Sequence, residues 1–250
     1  AVERILAGDD RVAGVRLASG EEIRAGLVLS NAHPRRTLND LLGGAQLDAE
    51  DVRRARLMAS EGMVARLDYT LSDAPQLDGG DLTERLIVAP AMSVLETAFN
   101  AAKYKELPTR PVLECSYYAV AKRLSVSAQF VPCTLKEGWT QAARDRLDQS
   151  VRAVLDDALP GTASLIMDAA IMTPADIEAE YGLPGGHWHH GEFRIDQMLM
   201  LRPFGGAAQY RMPVGGLYLC GAGAHPGGDI TGLPGWNAAG QAIKDGRAAT

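Results

Sequence analysis

The residues best suited to chemistry lie near the end of the chain. A short apolar run, Gly216-Leu217-Tyr218-Leu219-Cys220, feeds directly into Gly221-Ala222-Gly223-Ala224-His225-Pro226-Gly227-Gly228 and then into a helical pattern reaching Lys244. Glycines without Cβ let backbone approach a bulky polar ligand, and the free N–H groups of a helix start favour a phosphate. This segment is not the G-x-G-x-x-G dinucleotide fingerprint: His225-Pro226-Gly227 follows Gly223, and no acid stands about 20 positions on after a second strand. A ligand loop and a tight structural turn are both open readings of it. His187, His189 and His190 suggest a metal site or a hydrogen-bonded loop, and no carboxylate or cysteine pattern completes the former. His225 could act on a substrate or cap a turn. No G-x-S-x-G elbow and no P-loop occur, which removes serine hydrolysis of that type and P-loop nucleotide hydrolysis. Met198, Met200 and Met212 read as core or the lining of an apolar pocket.

These groups need a scaffold, and the chain can build one. It has 250 residues, 46% apolar and 22% charged, enough for one large domain or two modest ones. A formal charge of −6 is the wrong sign for coating a phosphate backbone, so nucleic acid is not an expected partner. Cys115, Cys133 and Cys220 are odd in number and far apart, which draws neither a disulfide framework nor a Cys-x-x-Cys zinc site and suits a reducing, cytoplasmic compartment. No apolar run reaches the roughly 18 to 20 residues of a spanning helix. The chain starts with Ala1 inside what already reads as a strand, so the beginning is expected to be a cut edge.

Residues 2–6, 12–17 and 23–29 are apolar runs separated by turn formers and predict antiparallel strands. Pro34 begins a helix running to Leu42, and Asp48 caps a second one reaching Ala59. In the middle of the chain, residues 64–71, 85–88, 112–120, 125–133 and 164–172 predict strands, and 94–105 and 141–159 predict helices. Thr173-Pro174-Ala175-Asp176 has the hydroxyl, proline and acid of a helix start, with the helix reaching Tyr181. The middle block therefore reads as a mixed sheet carrying helices. From Gly182 to Gly206 the chain is glycine-rich and without period, a long functional loop. Leu217–Cys220 suits a strand buried on both faces, and a last helix covers Trp236 to Asp245.

Read together, the ends match a known pattern. The run Gly216-Leu-Tyr-Leu-Cys-Gly-Ala-Gly-Ala-His-Pro-Gly-Gly-Asp-Ile-Thr-Gly-Leu-Pro-Gly-Trp-Asn-Ala-Ala239 closely resembles the C-terminal flavin-binding signature of phytoene desaturase-like FAD-dependent oxidoreductases, in the branch of pyridine nucleotide-disulphide oxidoreductase domain-containing proteins. Leu29-Ser-Asn-Ala-His-Pro34 resembles the family's Ser-Asn-Ala-Asp-Pro turn. Thr173–Glu178, Tyr181–Gly186, His190-Gly191, Asp196-Gln197 and Arg202-Pro203 follow its later segments. The likeness spans nearly the whole chain, which lacks the family's N-terminal βαβ unit with G-x-G-x-x-G and so resembles the C-terminal half of such an enzyme.

That resemblance implies an α+β fold in two parts. Residues 1–59 and 203–250 would form the C-terminal portion of a discontinuous FAD-binding domain, and 60–202 a mixed-sheet substrate domain with helices. Carried over by position, Val2 would contact the adenine. Gly221, Ala222 and Gly223 would lie at the pyrophosphate and ribityl chain, and Gly227, Gly228, Thr231, Gly232 and Asn237 near the ribityl and isoalloxazine edge. Asn31, Ala32 and Pro34 would form the turn beside the cofactor, while His190 and Gln197 would face the substrate cavity. His33 replaces the usual acid, Trp236 a frequent arginine, and Asp229 a small residue, placing a negative charge near phosphates. The implied reaction moves a hydride from a small apolar substrate to FAD, with the alternative of a flavin-free binding or scaffold subunit. Either way, strands left without neighbours predict a separate or missing N-terminal half as partner, or self-association.

Overall fold

The structure, a computed structural model, describes residues 1–44, 46–77, 84–228 and 230–248, the side chains of 247 and 248 excepted. The chain runs β1 (Val2–Gly8), β2 (Arg11–Leu17), β3 (Glu22–Arg24), β4 (Val28–Ser30), a wide helical turn at Arg36–Leu41, and α1 (Ala49–Leu57). It continues through β5 (Val64–Leu71), β6 (Leu86–Val88), α2 (Met92–Lys103), β7 (Leu113–Tyr118), β8 (Arg123–Gln129), α3 (Gln141–Ala158), α4 (Thr162–Leu165), β9 (Ile166–Met172) and α5 (Pro174–Tyr181). After a long irregular stretch come β10 (Leu217–Leu219) and α6 (Leu233–Ala248). Among the described residues no helix is long and apolar enough to cross a membrane. Two compact units result, residues 1–61 with 182–250, and residues 62–181. The expected division put 182–202 with the middle block, whereas these residues pack in the first unit.

In the first unit β1, β2 and β3 form an antiparallel meander. Its first turn places Asp9 and Asp10 at φ 49° and 61°, the left-handed pair that suits a tight hairpin. The run expected as one strand over 23–29 is two. Residues 25–27 break it, β3 stays on the meander, and β4 leaves to pair in parallel with β10, Val28 opposite Leu217 and Ser30 opposite Leu219. Parallel strands are covered on both faces, and all three residues of β10 are buried. The helix expected over 34–42 is a wider turn, with Leu42 N–H donating to the Thr37 carbonyl five residues back, and it sends Leu38 and Leu41 into the core with Val12, Leu217, Leu219 and Ala238.

The second unit is a five-stranded sheet in the order β6-β7-β8-β5-β9. The expected mixed sheet is corrected here, since every neighbouring pair is antiparallel. The strand-helix-strand run β8–α3–β9 does yield two parallel strands, but α3 carries the chain across β5, which lies between them and runs the other way. Along β5 the residues Ala65, Leu67, Tyr69 and Leu71 are buried and alternate with more open ones. They share a core with Leu147, Val151, Val154 and Leu155 on one stripe of α3. The Tyr69 hydroxyl ends in a 2.8 Å hydrogen bond donated to Asp148, whose other oxygen accepts from Arg152.

The start of α5 forms as its sequence directs. Thr173 Oγ1 accepts from the Asp176 N–H while the Asp176 carboxylate accepts from the Thr173 N–H, a reciprocal cap. The Arg144 guanidinium on α3 also grips that carboxylate through two hydrogen bonds of 2.6 and 2.7 Å. The Arg144 hydrogen bond, aided by those from Thr173, holds the Asp176 carboxyl down at about 2. Its contribution is complete above the ordinary carboxylate pKa and is lost as pH falls toward 2. Asp176→Ala is expected to destabilise the second unit by about 2 kcal/mol near neutrality, with the difference shrinking from about pH 4 downward. Urea denaturation of wild type and variant across that range checks both parts.

Candidate functional site

Because β4 and β10 are parallel, their carboxyl ends lie side by side, and each runs straight into a turn. The Cys220 N–H donates to the Ser30 carbonyl at 2.9 Å, holding the two exits together. On one side, residues 31–34 are set by Ser30, whose hydroxyl accepts from the Ala32 N–H and shares a 2.7 Å hydrogen bond with Thr37. On the other, the glycine loop presses against that turn. A Cβ at Gly221 would lie 2.4 Å from the Asn31 carbonyl oxygen, and one at Gly223 would lie 2.5 Å from the Pro34 ring. Both positions therefore require glycine for contacts within the chain itself. Asn31, Ala32 and Pro34 are thus brought together with Gly221, Ala222 and Gly223, while Gly227 and Gly228 pack against Phe193 and His189.

A third segment completes the cluster. Arg202 is fully buried, and its guanidinium donates to the carbonyls of Ala222, His189, Gly191, Glu192 and Gln197, the shortest bond being 2.6 Å to His189. The Phe193 ring lies 4.7 Å from it. No carboxylate pairs with this cation among the described residues. Nothing in the sequence pattern marked Arg202 for this role, because its partners are backbone oxygens.

Four histidines surround this charge. His33 is buried, and its Nδ1 accepts from the Arg35 N–H at 3.0 Å, so the neutral ring carries its proton on Nε2. Its ring stacks on His190 at 6.1 Å. His33 Nε2 and His190 Nδ1 are both buried without a protein partner among the described residues. Burial, reinforced by neighbouring His190 and Arg35, lowers the His33 pKa to about 3. Burial likewise lowers His187 and His190 to about 4, with His189 and Arg202 adding to both. These three rings are neutral at pH 7 and serve as donors and acceptors rather than charges. His225 Nδ1 lies 2.8 Å from the Leu199 carbonyl.

Gln197, expected to face a cavity, is buried, and its amide bridges the Ala59 backbone and the Glu192 carbonyl, a positioning task for the end of α1. Thr231 accepts from the Leu233 N–H at the start of α6, Gly232 is exposed there, and the Asn237 amide donates to the Tyr210 hydroxyl. Val2 sits on the meander opposite Leu17. Asp229, whose charge was of concern beside phosphates, lies outside the described residues. Trp236 is on the exposed face of α6.

Comparison with known proteins gives a consistent set of relatives, although no family model matches the chain. The chain is 31% identical over 259 residues to pyridine nucleotide-disulfide oxidoreductase domain-containing protein 2 of Rattus norvegicus, an alignment covering 95% of this chain and 45% of the relative. It is 29% identical over 254 residues to the neurosporene-forming phytoene desaturase of Cereibacter sphaeroides, covering 94% and 46% respectively. The chain thus spans about half the length of the relatives it matches. Among solved structures it resembles cyclohexylamine oxidase from Brevibacterium oxydans, with a TM-score of 0.58 at 13% identity, covering 99% of this chain and 49% of that one. An oxidoreductase from Methanosarcina mazei gives 0.51 at 16%, covering 98% and 48%. At such identities these two likenesses concern the fold alone.

The neutral histidines have a measurable consequence. A base whose pKa is lower in the folded state binds fewer protons there, so stability falls as pH drops from about 6.5 toward the folded values. Each such histidine contributes a slope of about 1.4 kcal/mol per pH unit between roughly pH 6 and 5. His33→Asn keeps an acceptor for the Arg35 N–H but cannot titrate. Its unfolding free energy, measured against pH, should show a slope smaller by that amount.

Proposed function

We propose that this chain, which matches the C-terminal half of the pyridine nucleotide-disulfide oxidoreductase domain-containing and phytoene desaturase family, contributes the second half of an FAD-dependent oxidoreductase. The observation that carries the reading is the meeting of two turns at the carboxyl ends of the parallel pair β4–β10, the place where open α/β sheets bind nucleotide ligands. The residues there suit such a group. The loop after β10 leads through Thr231 and Gly232 into the sixteen-residue α6, whose N–H groups and dipole favour phosphate oxygens. The backbone of Gly221, Ala222 and Gly223 would hold the pyrophosphate and ribityl chain. Gly227, Gly228, Thr231, Gly232 and Asn237 would approach the ribityl and ring edge, with Val2 near the adenine. In this reading the first unit belongs to the FAD-binding domain and the second binds substrate.

A bound flavin supplies the acceptor for a hydride taken from a substrate C–H bond, and the substrate's second hydrogen leaves as a proton. The chain's own residues position and desolvate. Arg202 anchors the loop bearing His190 onto the glycine loop, and the neutral imidazoles of His33 and His190 add donor and acceptor atoms without charge.

The strand ladder supports a complementary N-terminal half. Val28 N–H and the Ser30 carbonyl both bond toward β10, so the alternating residues Leu27 and Leu29 direct their backbone groups to the opposite edge of β4. No strand pairs with that edge among the described residues, and the Leu27 and Leu29 side chains are exposed. An added parallel strand would satisfy those groups and cover apolar surface. The rival reading, a flavin-free scaffold subunit, keeps the same edge but needs no cofactor.

Protein isolated from its natural source is expected to show the two visible absorption bands of oxidised flavin and a total polypeptide mass about twice that of these 250 residues. A colourless protein that takes up no added FAD, with or without a second polypeptide, sinks the flavin reading and leaves the scaffold one.

A further inference from the structure

The glycine loop occupies one end of the β4–β10 pair. The other end, where both strands begin, opens on a cavity of about 410 Å³ formed wholly within the first unit. This is within the size range of small-molecule sites. Its wall is mostly apolar, with Leu27, Met212, Leu217 and Ala242 contributing. Gly26 and Gly246 lie at its border, where a Cβ would meet nothing within 4 Å.

The charges on this wall do not cancel. Arg11, Arg211 and Asp245 all line it. Both oxygens of the Asp245 carboxylate are engaged: one takes the Tyr218 hydroxyl at 2.7 Å and Arg211 Nε at 2.9 Å, the other the Gln241 amide at 2.8 Å. The Tyr218 hydrogen bond, with Gln241 and Arg211 in support, holds Asp245 below the ordinary carboxylate range, so it stays ionised. Arg211 is therefore spoken for through Nε, while its terminal nitrogens have no bond among the described residues. Arg11 has no carboxylate partner among the described residues. One guanidinium charge is left over beside an apolar chamber. A guanidinium offers a planar fork that matches a carboxylate.

We propose that this cavity binds a small organic carboxylate, its apolar body against Leu27, Met212 and Ala242 and its head group on Arg11 with the free nitrogens of Arg211. The site is separate from the glycine loop and needs no flavin, and it shares Leu27 with the free edge of β4. One net positive charge selects a monoanion, and a polyanion would gain little more while losing the apolar contacts. The Tyr218–Asp245–Arg211 chain fixes the second arginine, so only Arg11 has to be ordered on binding.

Benzoate is a suitable probe, and benzamide is its neutral counterpart of the same shape. Calorimetric titration of the whole chain, without flavin and at low salt, is expected to show benzoate binding at least about tenfold tighter than benzamide. Arg11→Gln, an exposed position whose loss should leave the thermal midpoint unchanged, is expected to weaken benzoate by about tenfold. Equal binding of benzoate and benzamide, full benzoate affinity in Arg11→Gln, or no benzoate binding by wild type at millimolar concentration each overturns the proposal.

Discussion

The arrangement of the first unit's irregular half depends on one buried cation. Arg202 has no exposed surface and no carboxylate partner among the described residues, and it is held by five backbone carbonyls drawn from both sides of the site. Removing a guanidinium from water costs several kcal/mol, and that cost is offset only when its donors are satisfied with good geometry. Saturating the fork requires the segment 189–197 and the glycine loop at Ala222 to converge at once. Neither has a regular ladder of its own, so the cation takes the place of a sheet in fixing their relative position. Burial, with this charge adding to it, holds the pKa values of His187 and His190 near 4, so both rings stay neutral at pH 7.

Regular elements were readable wherever the chain carried a strict period. The alternation of β5, the apolar stripe of α3 and the Thr173–Asp176 cap lie within one or two residues of where their patterns put them. The failures share a cause. Residues 23–29 form a plausible single strand, but β4 finds its partner in β10, nearly the whole chain away, and that pairing overrides the local run. The order and direction of the second sheet were equally hidden. A strand, helix and strand in sequence suggest a parallel sheet, and nothing local shows that β5 already occupies the position between them.

The candidate site divides in the same way. Glycines at 221 and 223 were expected to let the backbone approach a ligand, and the turn at Asn31, Ala32 and Pro34 to lie beside a cofactor. What presses on those glycines within this chain is Asn31 and Pro34, a contact that either reading of the loop would use. Gln197 was expected at a cavity wall and instead secures backbone. Arg202 was invisible as a centre because carbonyl oxygens are present at every residue and leave no mark on composition or spacing. His33 stood out only as a departure from an expected acid. There the neutral imidazole accepts the Arg35 N–H without adding a charge to the interior.

The β4–β10 pair and α6 also organise charge along their common direction. The start of α6 follows the glycine loop and presents the positive end of its dipole there, while its last turns reach the cavity at the opposite end. An acid in those last turns is unfavourable to the helix, and Asp245 is such an acid. It is tolerated because Tyr218 and Arg211 approach it from β10 and the preceding loop, so the carboxylate ties the helix end to the sheet. Arg11 then remains on the cavity wall without a carboxylate partner among the described residues. One short parallel pair thus has two distinct ends. Backbone donors and neutral rings lie where the strands finish, and guanidinium groups over an apolar wall lie where they begin. Because different residues build each end, a substitution at Arg11 can alter one without disturbing the loops clamped at the other.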